Sequence, residues 1–221
     1  MRPFSSISNF SNLSNISIAA ATLVALLCGA WLLHRGAQTH APPQPSAAQA
    51  RAGGHQNGHV DRPAVHALPH SAPDRVRIPS IRVDAPLMGL GLSPQGSLDV
   101  PPAGRKNLAG WYEAGTAPGE KGTAIVAGHV DNAEGPAVFY RLGALRKGST
   151  IEVGRRDGSV ALFSVDAVEV YDARDFPDER VYGAAGRPEL RVITCGGGYS
   201  VGTGYQGNVV VFAHLTGSRR S

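Results

Sequence analysis

From Arg75 onward the apolar residues fall in short β-branched runs separated by Gly, Pro and Asp, a texture of strands and tight turns. Val76, Ile78, Ile81 and Val83 mark a strand broken at Pro79, which puts that break at a sheet edge or a bulge. Leu98–Val100 reads as a short strand stopped by Pro101-Pro102. Gly122–Ala127 is apolar at every position that matters for either face and reads as a central strand. Val138, Phe139, Leu142 and Leu145 have helical spacing and predict a short amphipathic helix ended by Gly148. Thr150–Val153 and Val160–Tyr171 flank the hairpin signal Asp157-Gly158. Asp172–Pro188 is polar and irregular, and Glu189–Thr194 and Asn208–Ala213 supply two last strands. The run Leu190–Thr194 delivers Cys195, and Gly196-Gly197-Gly198 are expected to end it there. Seven or eight strands with one short helix predict a mostly β fold, a closed barrel. Roughly 145 residues are ample for its core.

The upstream chain has other patterns. Ile16–Leu33 is apolar except for Ser17, Thr22, Cys28 and Gly29, the length of a short membrane span. A cleaved signal would have a shorter apolar core and a small-x-small site after it, whereas His34-Arg35 follow here. Leu27 is too bulky for lipoprotein processing at Cys28. Residues 16–33 are therefore expected to be a transmembrane signal anchor, with 1–15 a cytoplasmic tail and the bulk of the chain exported. Residues 34–73, rich in Ala, Pro, Gln, Gly and His, have no apolar periodicity and are expected to form a disordered tether. The folded domain is then 74–221.

Composition changes this picture little. The formal net charge of +4 is scattered, with no Lys/Arg block, so a nucleic-acid partner has no support. His40, His55, His59, His66 and His70 repeat no ligand spacing, and Asp131, Glu134 and Asp157 do not form a calcium loop. No metal or other cofactor is expected. Gly202-Thr203-Gly204-Tyr205-Gln206-Gly207 matches a dinucleotide fingerprint in letters only, because a strand follows where a helix must open. It reads as a hairpin loop.

Candidate chemistry lies at two strand ends. Cys28 sits in the apolar segment, so Cys195 is left as a lone thiol. Such a thiol is either a small buried hydrophobe or a nucleophile. Ala124–Gly128 delivers His129 to the end of its own strand, and a nearby imidazole can activate a thiol and protonate a leaving amine. The alternative for His129 is a loop histidine paired with Asp131.

Ala127-Gly128-His129-Val130-Asp131 and Val192-Ile193-Thr194-Cys195-Gly196-Gly197 together resemble the sortases, the transpeptidases that anchor proteins to Gram-positive cell walls. Ile78–Pro86, Gly110-Trp111-Tyr112, Pro118–Gly122, Tyr205 and Asn208–Ala213 extend the likeness over residues 74–215, and the last segment is most similar to actinobacterial class F sortases. The resemblance implies an eight-stranded sortase barrel. It implies that Cys195 attacks the Thr-Gly carbonyl of an LPXTG-like sorting signal on a secreted protein. His129 would protonate the leaving amine and later deprotonate a cell-wall precursor amine, with Thr194 preceding the cysteine as in the family motif. It also places the protein in the cell membrane, facing the cell wall. Sortases add an arginine entering the last strand; Asn208 aligns with it, and residues 196–207 contain no arginine. Asn208 donating a neutral hydrogen bond, or Arg141 approaching from elsewhere, are the candidates for that role. A thiol peptidase that hydrolyses the same acyl-enzyme, and a non-catalytic barrel binding peptide or cell-wall polymer, are the competing functions.

Overall fold

The computed structural model describes residues 41–50, 65–200 and 202–221. The span expected over 16–33 lies outside them, and among the described residues no helix is long and apolar enough to cross a membrane. Eight strands close a barrel: β1 (Pro73–Ile78), β2 (Val83–Leu90), β3 (Ala109–Tyr112), β4 (Gly122–Gly128), β7 (Thr150–Arg155), β8 (Ser159–Asp172), β9 (Pro188–Ser200) and β10 (Gly204–Arg220). They run in the order β1-β2-β3-β4-β9-β10-β8-β7. Two short strands, β5 (Asp131–Asn132) and β6 (Gly135–Pro136), pair apart from the barrel. The β2–β3 and β4–β9 pairs are parallel.

Alternation decides what each strand buries. Val76, Val126, Val153, Phe163, Val192 and Val211 point inward to one core. The opposite parity on β4, β9 and β10 puts Ile125, Ile193, Val210 and Phe212 on the outside of the barrel. There a second apolar layer covers them: Val181 of the helix α1 (Asp178–Tyr182), with Leu98, Tyr112, Tyr171 and Phe176. Strand β4 is buried at all seven positions because both of its faces are covered, which is what its unbroken apolar run requires. Arg180 of α1 pins that layer through an ion pair to Glu169 at 2.8 Å and lies 5.8 Å from the Phe212 ring centroid.

Several expectations are corrected. Pro79 sits at neither an edge nor a bulge; it opens a 3-10 turn, Pro79–Ile81, that ends β1 before β2 begins. Leu98–Val100 is no strand and makes only an isolated bridge from Leu98 to Leu92. The helix expected over 138–145 is a run of turns with one 3-10 turn, Leu142–Ala144, because a single buried side with no length to propagate does not sustain an α-helix. The glycines after Cys195 do not stop β9, which continues to Ser200 with Gly197 and Gly198 at φ 78° and 95°. Parts of the expected tether are ordered. Residues 47–49 form a 3-10 turn whose Gln49 side chain accepts from the Lys147 backbone at 2.8 Å, and the Leu68 amide donates to the Gly119 carbonyl at 2.8 Å.

Candidate active site

The barrel register assembles the site. In the β4–β9 pair the last registered partners are Ala127 and Ile193, so His129 and Cys195 each lie two residues beyond the same rung. In the β9–β10 pair Cys195 is directly opposite Asn208, and in the β10–β8 pair Asn208 is directly opposite Tyr171. Parity puts Ile125, Ala127 and His129 on the outer face with Ile193, Cys195 and Asn208. His129, Cys195, Asn208 and Tyr171 therefore form one row across four adjacent strands.

Three hydrogen bonds fix this row. Thr194 is buried, and its hydroxyl donates across to the Gly128 carbonyl at 2.8 Å, tying the residue before Cys195 to the residue before His129. The His129 ring bonds the Pro101 carbonyl through Nε2 at 2.6 Å. A carbonyl only accepts, so Nε2 carries the proton and Nδ1 of the neutral ring keeps its lone pair. The His129 carbonyl in turn accepts from the Phe139 amide at 3.0 Å. Asp131 is engaged elsewhere: its carboxylate accepts from the Tyr205 hydroxyl, so the His129–Asp131 pairing is not the one the side chains make.

Cys195 is exposed, which removes the reading of a buried small hydrophobe. Packing behind it nevertheless pushes the thiol's pKa up, and the Asp131 carboxylate adds to that rise. The Tyr205 hydroxyl is also raised, by partial burial and by its bond to Asp131.

A groove of about 920 Å³ adjoins the row at Asn208 and does not include His129 or Cys195 in its lining. Ile125, Ala127, Ile193 and Asn208 line it from the outer face of the sheet. One wall is the β2–β3 connection at Leu92 and Leu98–Val100; the other is α1 and its exit, Tyr182, Ala184 and Ala185. The structure places Arg141 at a different depression, with Arg82 and Lys106. It is exposed and precedes the Leu142–Ala144 turn. No metal-binding group of His, Cys, Asp or Glu occurs among the described residues.

Sequence reasoning missed the Pro101 carbonyl, the Thr194–Gly128 bond and the Asp131–Tyr205 bond. Pro101 had been legible only as a strand stop, and none of the three partnerships leaves a local signal, since each joins residues far apart in the chain.

The sortase domain family matches residues 76–216. The sequence matches no curated relative. Among solved structures the chain is similar to sortase A of Listeria monocytogenes, with 16% identity over 69% of this chain and 92% of that one and a TM-score of 0.52. It is similar to the SrtA sortase of Actinomyces oris, with 19% identity over 73% and 89% and a TM-score of 0.51. Sortase C-1 of the same organism gives 21% identity over 65% and 74% and a TM-score of 0.50. The structural likenesses establish the fold, and the domain match over most of the chain establishes the lineage: this chain belongs to the sortase family.

Proposed function

We propose that this protein is a cysteine transpeptidase that cleaves an LPXTG-like sorting signal and transfers the acyl fragment to a cell-wall amine. The observation that carries the reading is the register row of His129, Cys195 and Asn208, whose Asn208 also lines an open groove on the same face of the sheet. The groove takes an extended, largely apolar peptide, with the scissile carbonyl over Cys195. Nδ1 of His129 takes the thiol proton as Sγ bonds to the carbonyl carbon, and the Asn208 amide donates to the oxyanion. The C–N bond then breaks, the leaving amine takes the proton from His129, and a thioester remains on Cys195. An acceptor amine attacks the thioester, gives its proton to His129, and expels the thiolate as the new amide forms; the thiolate then takes that proton back from His129. A raised thiol pKa suits this order, since it keeps the resting Cys195 in the thiol form.

Residues 16–33 anchor the protein in the membrane, with the barrel outside and facing the cell wall; their largely apolar run without a charged residue supports this. The glycine-rich segment after Cys195 and the strand 208–213 favour the actinobacterial class F type. The test is mass spectrometry of the protein incubated with LPXTG-type peptides, with and without an amine acceptor. A Cys195 acyl adduct, lost in Cys195→Ala and resolved into an amide only when the amine is present, is the expected result. Hydrolysis regardless of amine would make it a peptidase, and no adduct with any peptide would leave a binding barrel.

A further inference from the structure

The β9–β10 hairpin that follows Cys195 carries glycine at 196, 197, 198, 202, 204 and 207, so its backbone has little intrinsic stiffness. Its register shifts between Tyr205 and Gly207, which interrupts the ladder next to the site. At this weak point Tyr205 reaches out of the hairpin and donates its hydroxyl to Asp131, two residues past His129. Tyr199, on the facing arm, packs edge-on against the Tyr205 ring with centroids 5.2 Å apart, which orients the ring for that bond. The same connection thus starts from β10, the strand paired with the one bearing the nucleophile, and ends at Asp131, just beyond the base.

We propose that Asp131 and Tyr205 are a positioning pair, clasping the Cys195 hairpin to the His129 loop so that thiol and imidazole stay aligned. Neither touches the reacting carbonyl in this reading, which rests on the transpeptidase reading above for its effect on turnover. The clasp also sets the charge around the thiol. The groups that act on this cluster are Asp131 from β5, which bears on both Cys195 and Tyr205, and Tyr140 from the turn after β6, which bears on Tyr205, while Asn208 faces Cys195 across the β9–β10 ladder. Asp131 is the anion among them, and the Tyr205 hydroxyl offsets part of its charge.

The test is a pH series of iodoacetamide alkylation at Cys195, read by peptide mass spectrometry on the full chain, beside peptide turnover. Asp131→Asn is expected to lower the pH midpoint of alkylation, because it removes the anion. Tyr205→Phe is expected to raise it, because the carboxylate loses its donor; the double variant follows Asp131→Asn. In turnover each single change costs kcat about tenfold with KM little changed, the double costs no more than the larger single, and Asp131→Glu recovers part of the loss. Unchanged melting temperatures keep folding out of these comparisons, and Tyr205→Phe retains the ring that packs on Tyr199. An alkylation midpoint in Asp131→Asn equal to wild type, or single losses that multiply in the double variant, overturns the clasp. Because alkylation needs no substrate, absent turnover in the wild type would sink the transpeptidase reading alone.

Discussion

Asn208 faces Cys195 directly across the β9–β10 ladder, in the antiparallel register that also opposes Thr194 to Val209. It is half-buried and lines the groove, where a carboxamide can donate to an oxygen developing charge above the thiol. Such a neutral donor is weaker than a guanidinium but still aimed. Asn208→Ala is expected to cost about 100- to 1000-fold in kcat, the range for removing one oxyanion donor, while leaving Cys195 alkylation unchanged. Full turnover in that variant would take Asn208 out of the site. Arg141→Ala, beside a different depression, is expected to turn over like wild type.

Much of this was legible in the sequence because parity is local. The β-branched runs place Cys195 and His129 at the ends of two central strands, and an apolar run with no polar face says that both faces are covered. The closed barrel follows from the strand count. Legibility ended where a residue's state depends on a distant partner. Gly196–Gly198 looked like a strand stop because nothing local says that β10 will pair with Gly196 and again with Tyr199 and Ser200; Gly197 and Gly198, at positive φ, fall in the register shift between. Phe139 and Leu142 have helical spacing, yet they bury into the barrel as turns.

Thr194→Val keeps the volume and shape of the side chain and deletes its hydroxyl. The Gly128 carbonyl then loses a buried donor, at a cost of about 1 to 3 kcal/mol. Chemical denaturation is expected to show that loss as a lower midpoint with unchanged slope. Turnover is expected to fall as well, since the bond links the residues just before Cys195 and His129. A variant as stable and as active as wild type would mean that the register alone holds the two strand ends.

Gly197 sits at φ 78°, and a Cβ built there would lie 3.2 Å from Val170 Cγ1 and 3.3 Å from the Gly207 backbone. A side chain meets both the left-handed conformation, at about 1 to 2 kcal/mol, and a tight neighbour. Gly197→Ala is expected to lower the melting temperature and to slow Cys195 acylation, whereas Gly202→Ala, with open space at its Cβ, is expected to do neither. Equal effects from the two substitutions would reject the conformational account.

Burial and the Asp131 carboxylate both penalise the Cys195 thiolate, so the folded thiol titrates above the unfolded one. The sign follows directly. At neutral pH a smaller fraction is thiolate in the folded protein, and Cys195 alkylates more slowly native than in denaturant, the gap closing as pH rises past the folded pKa. The stability contributed by this shift is complete below the unfolded thiol's pKa and is lost as pH rises through the folded one. Faster alkylation in the native protein at neutral pH would show that His129 outweighs both effects.

The domain begins before its first strand. Arg155, at the end of β7, has its side chain only 1% exposed, and its guanidinium donates to the Pro69 carbonyl as well as to Ser159 at 3.0 Å. Ser71 is buried and accepts from the Asp157 amide at 3.2 Å, and Leu68 packs on the core. Residues 65–72 therefore close the end of the barrel around a buried cation instead of leading up to it. A chain starting at Pro73 strips Arg155 of that carbonyl, at about 1 to 3 kcal/mol. It also uncovers the core under Leu68, for about a further 1 kcal/mol. Its denaturation midpoint is expected to lie below that of a chain starting at Val65, and Arg155→Met is expected to shrink the difference by removing the cation that needs the carbonyl. Equal midpoints for the two chains would mean that residues 65–72 lie on the barrel without stabilising it.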